Sequence, residues 1–370
     1  MAKDKIEEGK MNLRFSTIAK TDLPNSEEIA KKGGNYVQWG QFNDFPQQIY
    51  ALYEACSMFT SIVGAIKDFT LGDGVSFETV KFKETVNRKG ESIEDILTKC
   101  IVDRAIFGGF ALELIRNKFH EIAEINWLDM RYIRLNEDED TIYYNKKWGQ
   151  QRSKAIEYKR YVAGSKEPVS VFYYKGRMSR GVYPVPEWIG ALKSVKIMTE
   201  IDNYNLNNII NNFTPSAMIN FNNGSNLSED VMDEIETKVY EKFVGTEVAG
   251  RFMLSFNDDK EHSTTIERIP DDGLENKYTM LKENTQKNIY SAFRVNPCLL
   301  GYNQENMGFN TQEFEGAFKL YNKTVIQPLQ KEIIDAFEKL FGKGCMTIQP
   351  FTLKFDQSTN NNGNKEEEID

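Results

Sequence analysis

The chain is poor in histidine: only His120 and His262 occur in 370 residues. A His-based metal centre or a Ser-His-Asp type triad therefore has almost nothing to draw on. Four cysteines, Cys56, Cys100, Cys298 and Cys345, stand far apart with no CxxC pair. That spacing excludes a cysteine zinc site or a disulfide framework and reads as small buried hydrophobes in a reducing compartment. No apolar run approaches the roughly 18–20 residues that span a bilayer. The start, Met1 to Lys10, is charged and lacks the apolar stretch of a secretion signal. A Walker-type phosphate loop and a GxSxG nucleophile elbow are both missing. His120-Glu121-Ile122-Ala123-Glu124 opens like a metalloprotease helix but lacks the second histidine. Basic excess is missing too: 46 Lys and Arg face 55 Asp and Glu, a net charge of −9. A protein that coats nucleic acid by neutralising phosphates needs a basic face, so that class is excluded. A protein that lets nucleic acid pass without sticking is not.

What is present is a foldable composition, with 40% hydrophobic residues, 24 Phe and 17 Tyr, long enough for two or three structural units. Residues 1–35 read as a polar arm. Asp44-Phe45-Pro46 signals a helix entry, followed by helical spacing of Ile49, Leu52, Tyr53 and Cys56, and then of Ile62, Val63, Ile66 and Phe69. Leu71-Gly72-Asp73-Gly74 is a turn. Ser92 is an N-cap, with Glu94 and Asp95 in the first turn and an inner face of Ile93, Ile96, Leu97, Cys100, Ile101 and Ala105. Residues 130–183 hold short strands separated by charged turns: 132–135, 141–144, 155–162 and 169–174.

A long helix opens at Pro186, and its second half, 202–212, carries six Asn. Residues 216–270 read as a small αβ insertion with strands at 217–221, 250–256 and 264–269 and a helix after Ser228. A second long helix runs over 274–293 and stops at Asn296-Pro297. Gly301 to Gln312 is a loop with no Lys or Arg and one Glu. A helix over 313–341 follows, which Pro328 should kink. Phe351, Leu353 and Phe355 alternate like a last strand, and residues 357–370 form a polar acidic tail that reads as disordered. The fold class expected from this order is α+β. The acidic pairs Asp258-Asp259 and Asp271-Asp272 are better explained as helix caps and turns than as cation ligands.

Several local strings, in this order, resemble portal proteins of tailed bacteriophages. They are Ser61-Ile62-Val63-Gly64 through Gly72-Asp73-Gly74, Asp103-Arg104-Ala105-Ile106-Phe107-Gly108-Gly109-Phe110, and above all Ile289-Tyr290-Ser291-Ala292-Phe293-Arg294-Val295-Asn296-Pro297-Cys298-Leu299-Leu300-Gly301. The last is similar to the family pattern Ala-Phe-x-Val-Pro-Pro-x-x-Leu-Gly, except that Asn296 stands where the family has its first proline. The mid-helix proline of Ile326-Gln327-Pro328-Leu329 follows in the family's place. The resemblance covers residues 40–345, and the C-terminal crown of larger portals is nearly absent.

The resemblance implies a portal-like organisation: an arm (1–39), a wing (40–186), stem helices (187–215 and 271–297), a clip (216–270), a tunnel loop (298–312), a kinked helix (313–342), a return strand (343–356) and a tail (357–370). It implies a head-tail connector, a ring of usually twelve subunits at one capsid vertex of a virion assembled in the bacterial cytoplasm. Double-stranded DNA would pass non-specifically. Terminase, a head-tail adaptor, and capsid and scaffolding proteins would be partners. No cofactor, metal, membrane or catalytic residue is implied.

The tunnel-loop residues would be Asn303, Gln304, Glu305, Asn306, Met307, Gly308, Phe309 and Asn310. Partner docking at the clip would fall to Asn222, Asn223, Glu229, Asp230, Asp233, Arg251, Asp258 and Lys260. Two other classes remain open at this point: another phage structural protein of baseplate or capsid, and a cytosolic oligomeric enzyme with a carboxylate-based site. Both lack a reason for the long-helix, insertion, long-helix order.

Overall fold

The structure is a computed structural model that describes residues 23–30, 34–78, 84–150, 152–210, 217–221, 234, 252–256, 274–302 and 311–352. The expected αβ character holds, as mixed helices and sheets. Strand β1 (Glu28–Ala30) pairs antiparallel with β2 (Val37–Trp39), so the expected arm already contributes a strand to the fold. Glu28 ties it down: its carboxylate accepts from the backbone N–H groups of Val182 and Tyr183, each at 2.8 Å.

Helix α1 (Phe45–Ala55) starts with Pro46 in its first turn, where the missing N–H costs nothing. The chain breaks at Cys56, and α2 (Ser57–Leu71) leaves at 95° to α1. No single helix among the described residues is long and apolar enough to cross a membrane, and the bent α1–α2 pair packs into the core instead. Strand β3 (Gly74–Phe77) follows.

Helix α3 (Ile93–Phe107) begins with a capping box. The Ser92 hydroxyl accepts from Asp95 N–H at 3.1 Å, and Asp95 accepts from Ser92 N–H at 2.8 Å. Its inner face buries Ile93, Ile96, Leu97, Cys100 and Ile101, each side chain adding roughly 1.5–3 kcal/mol of burial. The stripe then departs from expectation. Ala105 is only half-buried, whereas Asp103 and Arg104 are buried.

A six-stranded sheet stands against α3. It is made of β4 (Gly109–Arg116), β5 (Ile122–Leu128), β6 (Ile133–Leu135), β7 (Thr141–Tyr144), β8 (Ile156–Arg160) and β9 (Val169–Lys175), in the order β5-β4-β9-β8-β7-β6. All neighbours are antiparallel except β8 and β9, which run parallel over only two residue pairs. Strand β4 is an interior strand, second in the sheet, and its first half is buried throughout, hence its near-continuous apolar run. Its Phe110 stacks on Tyr174 at 5.0 Å across the β4–β9 register.

Two buried ionisable side chains, Arg134 and Asp103, pin this part together. The Arg134 guanidinium, with no carboxylate partner among the described residues, donates to the carbonyls of Ile133 (2.6 Å), Arg131 (3.1 Å) and Asn43 (2.5 Å) and to the Asn43 side chain. Burial pulls its pKa down to about 10, so it stays a cation at neutral pH and locks the turn before α1 onto β6. Asp103 accepts from the Trp127 indole N–H at 2.8 Å. Burial, reinforced by the neighbouring Asp129 charge, pushes its carboxyl well above the usual range.

The folded state therefore holds this proton more tightly than the unfolded chain does. Stability is lost as pH rises from the unfolded pKa, near 4, toward the folded one, at about 1.4 kcal/mol per pH unit. Asp103→Asn keeps the acceptor for Trp127 and has no proton to lose. Its melting temperature relative to wild type should rise between pH 5 and pH 9; a constant difference across that range would refute the assignment.

Helix α4 (Leu192–Ile210) is followed by β10 (Ala217–Phe221) and β11 (Phe252–Phe256), a parallel pair in register from Ala217↔Phe252 to Phe221↔Phe256. Between them only Glu234 is described, as helical. The helix expected after Ser228 and the strand expected at 264–269 otherwise lie outside the described residues. Helix α5 (Leu274–Phe293) runs antiparallel to α4: Trp188, just before α4, stacks on Phe293, while Tyr278 bonds Ile201 and Asn205.

The helix expected over 313–341, with a disturbance at Pro328, is three pieces: α6 (Thr311–Tyr321), a π-turn (Asn322–Ile326) and α7 (Gln327–Phe341). Pro328 cannot donate to the carbonyl four residues back, and a π-turn that widens the helix by one residue stands immediately before it. The last described strand, β12 (Met346–Gln349), pairs antiparallel with β3. It falls within 343–356; of the alternating Phe351, Leu353 and Phe355, the last two lie outside the described residues. Cys56, Cys100 and Cys345 are buried as expected, while Cys298 is only half-buried.

Candidate functional site at the base of the two long helices

The ends of α3 and α5, the entry to α4, and α7 meet at one junction. Trp188 makes the central contact. Its indole N–H donates to the Ala105 and Ile106 carbonyls at 3.0 and 3.2 Å, satisfying acceptors that the end of α3 would leave open. Its ring meets Phe59 edge-on at 4.5 Å and stacks on Phe293 at 5.9 Å. Charge surrounds this apolar knot. Arg104, in the last turn of α3, bonds Glu332 of α7 at 2.9 Å and Glu187 at 3.0 Å. Glu187 also holds Arg294, the residue after α5. Glu332 lies 3.8 Å from Arg177 as well. The carboxylates keep the Arg104 pKa above its ordinary value despite burial, so the cation is fixed there.

Away from the junction the helix pair loses its cover. Leu192, Val195, Met198 and Ile201 are buried, but Tyr204 and Leu206 on α4 are 57% and 55% exposed. On α5, Met280 and Leu281 are 62% and 46% exposed, and of these four it is Tyr204 and Leu281 that face one another across the helix pair. A groove of about 450 Å³ runs along this face, lined by Leu23, Ile197, Ile201, Tyr204, Tyr278 and Leu281. Apolar side chains exposed together on two adjoining helices mark a contact surface.

Of the residues singled out in the sequence, Asn296 is placed with a clear role. It caps a 3₁₀ turn, Pro297–Leu300, its side chain accepting from Cys298 N–H at 3.0 Å. An N-capping side chain satisfies an otherwise open N–H at the start of the turn. His120 sits in the β4–β5 turn with φ +63°, its N–H donating to the Asn117 carbonyl. The tunnel-loop residues Asn303, Gln304, Glu305, Asn306, Met307, Gly308, Phe309 and Asn310 lie outside the described residues. So do the clip residues Asn222, Asn223, Glu229, Asp230, Asp233, Arg251, Asp258 and Lys260. No cluster of three or more His, Cys, Asp or Glu among the described residues is placed to hold a metal ion.

The charged junction was missed in the sequence. A signal existed: Arg104 falls on the inner stripe of α3, three residues past Ile101, where a lone charge needs a buried partner.

No family model and no curated protein matches the chain by sequence. Solved structures do. The chain shares its fold with a chain in the virion of a native gene transfer agent particle, at TM-score 0.53 and 16% identity over 84% of each chain. The neck of the native particle, computed with C12 symmetry, gives TM-score 0.53 and 16% identity over 84% of this chain and 85% of that one. An HK97-family phage portal protein from Corynebacterium diphtheriae matches more weakly, at TM-score 0.45 and 13% identity over 78% of this chain and 90% of that one.

Proposed function

We propose that this chain is a portal-type subunit that closes into a ring of about twelve copies at one vertex of a phage-like particle, with a central hole for double-stranded DNA. The observation that carries this reading is the fold shared, over 84% of the chain, with a protein of a particle neck computed with C12 symmetry. The uncovered apolar face of α4 and α5 supports it, because neighbouring subunits in a ring cover each other's flanks head to tail.

In this reading residues 40–186 and 343–356 form the wing, and α4 and α5 form the stem. Residues 216–270 form the clip that docks terminase and then the adaptor, and 298–312 face the hole. The role is structural, not catalytic. A duplex sliding through a ring should meet few phosphate clamps, since each Lys or Arg contact adds salt-dependent affinity. The net charge of −9 and a segment 301–312 without Lys or Arg suit passage rather than capture.

The stem face tests the reading. Tyr204→Glu combined with Leu281→Glu places charge on two exposed positions, so the fold should survive with a melting temperature within a few degrees of wild type. Assembly should fall to monomer in mass photometry. A double variant that still forms the wild-type assembly would show that this face is not the contact between copies.

A further inference from the structure

The π-turn at Asn322–Ile326 leaves one backbone group to account for. In a continuous helix the N–H of residue 328 would donate to the Thr324 carbonyl, four residues back, and Pro328 has no N–H to give. Within the turn Gln327 N–H reaches Asn322 O, five residues back, and the Thr324 hydroxyl bonds the Leu320 carbonyl at 2.8 Å. A donor from another element approaches the Thr324 carbonyl. It is Arg294 Nη1, at 3.5 Å, the long end of hydrogen-bond range.

Arg294 is held for this task. It is the first residue after α5 and has φ +56°, a left-handed conformation that a non-glycine residue adopts at a cost. There Arg294 N–H bonds Ser291 O and Val295 N–H bonds Tyr290 O, which turns the chain sharply off the helix. The other guanidinium nitrogen binds Glu187. Glu187 in turn binds Arg104, and Arg104 binds Glu332, four residues past Pro328 and so on the same face of α7. A cavity of about 180 Å³, bounded by Arg294, Thr324, Pro328 and Glu332, gives the side chain space to engage or withdraw.

We propose that Arg294 is a positioning residue whose guanidinium stands in for the N–H that Pro328 lacks, latching the π-turn to the end of α5 and so fixing α6 relative to α5. The latch rests on the geometry of one subunit and needs no ring. Its consequence, that Arg294 sets the spacing of the two anchors of segment 303–310, rests on the channel reading.

Hydrogen-exchange mass spectrometry on the full chain tests it with wild type, Arg294→Ala, Pro328→Ala and the double variant. Arg294→Ala should speed exchange across 311–326 about tenfold and leave 93–116 unchanged. In the Pro328→Ala background the new N–H can pair with Thr324, so adding Arg294→Ala should change exchange less than twofold. Glu187→Gln, which keeps the guanidinium, should have a smaller effect than Arg294→Ala. If Arg294→Ala does not fold, Arg294→Lys replaces it, because a single ammonium cannot span Glu187 and Thr324 together. An equal effect in both backgrounds would show that Arg294 acts through Glu187 alone and would overturn the proposal. So would no effect on 311–326. Particle size measured on the same samples reports the ring separately, so loss of assembly cannot pass for loss of the latch.

Discussion

Replacing Arg104 with methionine should lower the unfolding free energy by about 3 kcal/mol, the low end of what breaking a buried ion pair costs. Methionine fills much of the aliphatic space, so the loss is mainly electrostatic. Glu332, whose side chain is 11% exposed, would keep only the Tyr174 hydroxyl and Arg177, itself 3.8 Å away and 74% exposed. Glu187 is 40% exposed and retains Arg294, so it contributes less to the loss. The companion change Glu332→Leu should restore most of the stability, because a buried pair replaced by apolar groups is often neutral. Denaturant melts of wild type, both singles and the double form the cycle. A double variant no better than Arg104→Met alone would mean that the charge of Glu332 is not what Arg104 serves.

Gly108→Ala should be at least as damaging. Gly108 ends α3 in the left-handed region at φ +86°, and a Cβ there would sit 2.6 Å from the Val185 carbonyl oxygen and 2.9 Å from Pro186 N. The segment it would strike is backbone, the stretch that enters α4, so relief requires the α4 entry to move off the sheet. Gly301 is the natural control, with φ +80° and nothing within 4 Å of an added Cβ. Gly301→Ala should cost about 1 kcal/mol from backbone strain alone. Gly108→Ala should cost about 3 kcal/mol or more, since steric overlap with backbone adds to the same strain. Equal melting temperatures for the two variants would contradict the close approach of the α3 end to the α4 entry.

Local signals made much of the fold legible. Pro46 and Ser92 each do at a helix start what their chemistry dictates, and the short strands between 130 and 183 fall where β-branched and aromatic runs are bounded by turns. The site was less legible because it is built from residues far apart in the chain. Nothing near Arg104 announces that Glu187 and Glu332, 83 and 228 residues away, will neutralise it. Pro328 did announce a disturbance, but whether a helix answers by bending or by widening depends on what can pair with the freed carbonyl. Here the proposed partner is Arg294, the residue just after α5. The last described strand, Met346-Thr347-Ile348-Gln349, alternates weakly and is set by its backbone pairing with β3, while the cleaner alternation of Phe351, Leu353 and Phe355 runs beyond the described residues.

Ring closure is the central claim, and images of the purified full chain test it most directly. Electron microscopy, with mass photometry on the same sample, should show closed rings with a central hole and a mass about twelve times that of one chain. Monomer or dimer at every protein concentration and salt level tried, with no annular particles in the images, would contradict the portal reading.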